Sequence, residues 1–87
     1  APLVHLGRMN ARDIVARNVR KRRAELGLSQ DEVGARAESS GNYIGMIERS
    51  ETSVSIDMLA DIAEVLGVSL RDLVDPDWTG EEHGSAN

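Results

Sequence analysis

The sequence predicts an all-α domain of five short helices in 87 residues. Three observations carry that prediction. Asn10, Ser29, Ser40, Ser55 and Ser69 each stand at an N-cap position ahead of an apolar run. Gly27 and Gly67 close two of the runs. Within the runs, apolar residues recur every three or four positions, and no period-two alternation marks a strand.

The first helix starts after Asn10, with Asp13 three residues on, a capping-box spacing with Asp in the place of Glu. It continues to Leu26 and stops at Gly27, a C-terminal signal. Its apolar stripe is Val15, Val19 and Leu26, with Ile14 beside it; Arg23 falls on the same stripe. Ser29 and Glu32 form a capping box for a second helix from Gln30 to about Ala37, with Val33 and Ala37 inward. Gly34 and Ala35 let a neighbouring helix come close. Glu38-Ser39-Ser40 makes a tight turn, and Ser40 caps the third helix, which buries Tyr43, Ile44 and Ile47. Glu48 shares that inner face, so Arg23 and Glu48 are two charges on two apolar stripes. They are expected to pair across the core, because a lone buried charge costs several kcal/mol.

"SETSV" is a polar loop. Ser55 caps the fourth helix, Ile56 to Leu66, with Ile56, Leu59, Ile62, Ala63 and Leu66 inward and Gly67 at its end. Ser69 caps a short fifth helix with Leu70 and Leu73 inward and Asp72 as its third-position acid; Asp75-Pro76 terminates it. The domain therefore spans residues 10–78. Residues 1–9 are expected to be a flexible arm or a leader, too short and too weakly basic for a signal peptide. Residues 79–87 are a polar, acidic tail expected to be disordered.

A domain of this size hides only about 60% of the surface its unfolded chain exposes, so self-association would add apolar burial. No cysteine is present, which removes disulfides and thiolate metal sites and agrees with a reducing, cytoplasmic setting. No apolar run approaches the roughly 18 residues of a membrane span. The net charge of −5 argues at first against a polyanion partner. Its distribution changes that. Residues 8–50 hold 9 Lys/Arg and 6 Asp/Glu, a net of +3; residues 51–87 hold 1 Arg and 9 acids, a net of −8. A polyanion would meet the first half.

The second helix, a short turn and the third helix make a helix-turn-helix arrangement. The segments "LGLSQDEV", "YIGMIER" and "LADIAEVLGVSLRDL" resemble the Cro/cI-type (Xre) class of phage-repressor DNA-binding domains. The resemblance covers residues 13–74 and is closest to controller proteins of restriction-modification systems and small phage or plasmid repressors. It implies a compact five-helix repressor-like fold. It also implies a sequence-specific transcriptional regulator that binds a palindromic operator in double-stranded DNA as a homodimer, with the third helix in the major groove.

Residue by residue, the resemblance matches Gln30 to a phosphate-gripping glutamine, and free amides at a helix N-terminus suit an anion. Ser40 matches the cap of the recognition helix. Gly41, Asn42, Gly45 and Met46 match the groove-facing side, and Arg23 with Glu48 matches an internal ion pair. Asn42 suits the N6/N7 edge of adenine, and Met46 a thymine methyl. The two glycines share an outer face with Asn42 and Met46; a bare face lets the backbone come close, although exposed drift on a face nothing reads is the plain alternative. The expected phosphate contacts are Arg20, Lys21, Gln30, Ser40, Tyr43 and Arg49. Arg49 suits a guanine if the helix is tilted. For "VRKRR" a solvated helix end complementing the macrodipole is an equal reading.

Trp78, just past the fifth helix, either closes the domain's own core or anchors a subunit interface; in this class the C-terminal helix usually builds a twofold dimer, which implies an interface of Leu70, Leu73, Val74 and Trp78. RNA polymerase would be a further partner for an activator, through the acidic face of the fourth helix. Four positions depart from the class: Glu38 and Ser50 stand where glycine is common, Val54 where proline is, and Glu51 where a basic residue is. No catalytic set, cofactor motif or metal spacing is present, and His5 and His83 lie in opposite tails. The competing reading is a protein-interaction module or antitoxin on the same fold, with weak DNA binding.

Overall fold

The structure is a computed structural model that describes residues 9–80. Most of the predicted arm and tail, with His5 and His83, lies outside the described residues. The helices are α1 (Ala11–Leu26), α2 (Gln30–Arg36), α3 (Gly41–Glu48), α4 (Ile56–Leu66) and α5 (Leu70–Leu73), with no strand among the described residues. Helices α2 and α3 make the tightest pair, and α1 crosses α3, α4 and α5. Between them lies one core: Val19, Val33, Ala37, Ile44, Ile47, Leu59, Ile62, Ala63, Leu66 and Leu73.

The caps form as the sequence predicts, with one exception. Ser29 and Glu32 exchange bonds of 3.0 and 2.7 Å, and Ser69 and Asp72 bonds of 3.0 and 3.2 Å. Gly27 and Gly67 end α1 and α4 with φ of 71° each, the left-handed geometry that satisfies orphan carbonyls. At Asn10 only half the box is present. Its side chain accepts from the Asp13 amide at 2.9 Å, but the Asp13 carboxylate turns away to accept from the Ser50 hydroxyl at 2.7 Å. That bond ties the start of α1 to the loop after α3.

Helix α1 holds its neighbours by their C-termini. The last turn of any helix leaves carbonyls without partners. Arg20 Nη1 donates to Glu48 O at the end of α3, 3.1 Å away, and Arg22 Nε to Leu66 O at the end of α4, 2.8 Å away. Asn18, fully buried, donates from Nδ2 to the carbonyls of Asp72, Leu73 and Asp75 at 2.9–3.2 Å. Arg17 Nη2 reaches Pro76 O at 2.6 Å. Much of the cationic character of α1 is thus committed to backbone inside the domain.

Two residues expected in the core are at the surface. Ile56 is 66% exposed and Leu26 41%. Ile56 is the first residue of α4, and helical side chains tilt toward the N-terminus; its side chain projects off the helix end. Leu26 closes α1 and lines an open groove with Leu28, Val65 and Gly67. Of the expected dimer patch, Leu73 is fully buried and Trp78 only 9% exposed within the single chain. Trp78 is thus largely buried within the single chain, in the segment 75–80 to which Arg17 and Asn18 of α1 donate. Leu70 is half-buried and Val74 is 46% exposed, so these two keep free surface.

Candidate nucleic-acid interface

The α2–α3 junction is built by missing side chains. A Cβ on Gly34 would stand 2.6 Å from Gly41 N and collide with the Ser40 carbonyl, so the turn lies directly on α2. A Cβ on Gly41 would run into the Asp31 side chain and lie 2.9 Å from its Cα. Gly45 is buried: a Cβ there would stand 2.9 Å from Arg49 Nη1 and 3.3 Å from the Gln30 side-chain oxygen. The face expected to be bare is therefore covered at Gly45 by two polar side chains, and both α3 glycines have a packing reason of their own. Ala35, expected beside Gly34 at the contact, is exposed.

The turns at both ends of α3 are left-handed. Glu38 has φ of 59° and Ser50 φ of 62°, the only non-glycine residues with positive φ among the described residues. These are the two positions where the resemblance expects glycine. The backbone keeps glycine-type geometry, at about 1–2 kcal/mol per residue for an L side chain.

Below α3 the predicted ion pair is present. Arg23 Nε and Nη2 donate to the two Glu48 oxygens at 2.6 and 2.9 Å, and Glu48 is 5% exposed. Gln30 Nε2 donates to Glu48 Oε1 at 3.0 Å, and Arg23 Nη1 donates to Leu28 O at 2.9 Å. The bond to Glu48 raises the Arg23 pKa above the ordinary guanidinium value. This network fixes the start of α2 and the end of α3 relative to α1. It also holds the Gln30 amide at the N-terminus of α2.

On the solvent side, Ser40 Oγ accepts from the Tyr43 amide at 3.1 Å and caps α3. Asn42 is exposed, with Nδ2 3.9 Å from Sδ of the half-buried Met46. Tyr43 packs on the core, and its hydroxyl makes a long, 3.5 Å contact with Ser53 O at the rim. Arg49 is exposed and forks onto Glu51 at 3.0 and 3.2 Å, which raises the Arg49 pKa and lowers that of Glu51. The structure separates Arg20 from Lys21. Arg20 lies toward α3, whereas Lys21 shares a stripe with Arg17 and Glu25 and stands beside Gly80. Sequence reasoning missed the bridging roles of Asn18 and Arg22 and the Arg49–Glu51 fork. Only the fork left a local signal, two opposite charges two residues apart across a helix end.

A seven-residue helix, a tight turn and an eight-residue helix with an exposed polar side define a helix-turn-helix module. The chain belongs to the HTH_3 helix-turn-helix family, whose model matches residues 19–73. It is 38% identical over 68 residues to the HTH-type transcriptional regulator y4dJ of Sinorhizobium fredii, covering 78% of this chain and 88% of that one. It is 35% identical over 79 residues to control protein C.SmaI of Serratia marcescens, covering 87% and 90%. Among solved structures, the hypothetical transcription factor NHTF from Neisseria superposes with a TM-score of 0.76 at 24% identity, over 90% of this chain and 86% of that one. An HTH_3 family transcriptional regulator from Vibrio cholerae does so with 0.68 at 30%, over 76% of this chain and 38% of that longer one. The chain is a helix-turn-helix transcriptional regulator, and its relatives are regulators rather than enzymes. No helix among the described residues is long and apolar enough to cross a membrane.

Proposed function

We propose that this regulator binds a palindromic DNA operator as a homodimer and inserts α3 into the major groove. The observation that carries this reading is the solvent side of α3. Asn42, Met46 and Arg49, at spacings of four and three, line one stripe along that helix; Asn42 and Arg49 are exposed and Met46 is half-buried. Asn42 would bond the N6 and N7 edge of adenine, and Met46 would touch a thymine methyl. Gln30, Ser40, Tyr43 and Arg20 would meet the phosphates on either side, with the backbone at Gly41 close to the groove wall. Lys21 is the least suited of the expected phosphate contacts, because it faces the 75–80 segment.

Leu70 and Val74 keep the surface from which a twofold contact would be built, and Ile56 adds exposed apolar area. Such a dimer would set its two recognition helices about 34 Å apart, one turn of DNA. The similarity to control protein C.SmaI points to a controller circuit acting on the chain's own gene and a neighbour, in the cytoplasm. Asp57, Asp61 and Glu64 form an exposed acidic face on α4 that would serve as a contact for RNA polymerase.

The test is selection from a randomised duplex library at low and moderate salt. The expected result is a palindrome with half-sites one turn apart. Asn42→Ala should then relax one position per half-site at a cost of about 1–3 kcal/mol. Weak, salt-labile retention with no enrichment would instead favour a protein-interaction module.

A further inference from the structure

The Arg49–Glu51 fork lies beside the proposed base-contacting stripe, at a loop position where an acid would repel phosphate. Its geometry is specific. Arg49 donates from Nε and Nη2 to both Glu51 oxygens, at 3.0 and 3.2 Å. That occupies one edge of the guanidinium. The edge formed by Nη1 and the second Nη2 hydrogen stays free. This is the pair of donors that matches O6 and N7 of guanine. Nη1 lies over Gly45, in space a single methyl would enter, since a Cβ there would come to 2.9 Å. Both residues are about half exposed, with side-chain exposures of 54% and 51%, so the pair lies on the solvent-accessible surface.

We infer that Glu51 is a positioning residue that aims Arg49 across Gly45 at a guanine in each half-site, and that Arg49 is a base-reading rather than a phosphate-binding side chain. This rests on the operator reading given above. The charge balance supports it. The fork raises the Arg49 pKa and lowers that of Glu51, so both are ionised near neutrality and the unit carries no net charge. A phosphate gains little from a neutral pair. A guanine edge needs two donors held in one plane, and a guanidinium already held there loses less rotamer freedom on binding. The acid at position 51 thus trades non-specific affinity for discrimination. Gly45 serves the same end, because a side chain there would enter the space beside Nη1.

The test is base selection together with a salt titration on the wild type, Glu51→Ala and Gly45→Ala. The nearest atoms a Gly45 methyl meets belong to the side chains of Arg49 and Gln30 rather than to backbone, so that variant should fold as the wild type does by circular dichroism. The wild type should require guanine at one fixed position per half-site. Both variants should relax that position about tenfold or more. Glu51→Ala should also bind unrelated duplex more tightly, with a salt slope steeper by about one phosphate's worth. Uniform tightening by Glu51→Ala with an unchanged logo would overturn the inference, and Glu51 would then act only by repulsion. An enriched operator lacking that guanine would overturn it too, while leaving the operator reading intact. Failure of the wild type to enrich any duplex would take down both.

Discussion

Helix α1 and the α2–α3 turn attach to their neighbours by opposite means. From α1, long polar side chains reach out to the carbonyl ends of α3, α4 and α5. At the α2–α3 turn the side chains are absent, and backbone lies on backbone through Gly34 and Gly41. A long arginine can adjust to a shifted partner, whereas a glycine contact has no slack. The first junction therefore tolerates small displacements. The second sets the angle at which α3 is presented. The comparison also revises what the charge of the first half means. Several of its cations are joints of the fold, so its +3 overstates the field offered to a polyanion.

Substitutions can break this contrast in a graded way. The largest loss is expected where the two junctions meet, at Glu48, which accepts from Arg23 on α1 and Gln30 on α2. Glu48→Ala should cost about 3–5 kcal/mol by stranding a guanidinium; a denaturant midpoint close to the wild type would refute the pairing. Gly34→Ala should cost about 3 kcal/mol, at the upper end for overpacking, because its methyl meets backbone that cannot move aside. If α1 is the more forgiving junction, Asn18→Ala should cost less, about 1–3 kcal/mol for unpaired carbonyls. An Asn18 loss exceeding that of Gly34 in the same urea series would reverse the ranking. A smaller effect should be a gain. Glu38→Gly relieves a left-handed residue and should add about 0.5–1 kcal/mol, a rise of a few degrees in Tm. Ser50→Gly should come out near zero, because the same relief is offset by losing the bond to Asp13, worth about 1 kcal/mol. Equal shifts for the two would show that the Ser50 bond contributes nothing.

Much of the fold is local and so was legible. N-caps, closing glycines and apolar spacing act within a few residues, and they placed each helix where the structure has it. The Arg23–Glu48 pair was legible for another reason: a charge on an apolar stripe needs a partner, and only one other stripe carried the opposite sign. What escaped depends on distant chain. Asn18 is as buried as any leucine, yet nothing within its own helix shows that the end of α5 supplies three carbonyls to it. Ile56 fits the apolar period and still points into solvent, because period does not say where a helix overruns its core. The α3 glycines looked like an absence on an outer face. Their cause lies in Asp31, Gln30 and Arg49, side chains placed by another helix or by a turn.

The segment over α1 has a use beyond packing. The chain contains one tryptophan, one tyrosine and no phenylalanine. Trp78 sits in that segment with its indole Nε1 buried and without an acceptor, while Tyr43 stands at the rim of α3. The 75–80 segment and α3 thus carry one chromophore each. Emission from the tryptophan should report the seating of residues 75–80, shifting to the red as the indole meets water. Tyrosine absorption should answer to events at α3. Opening at the segment and occupancy at α3 can be followed in the same cuvette, without attaching a label to either.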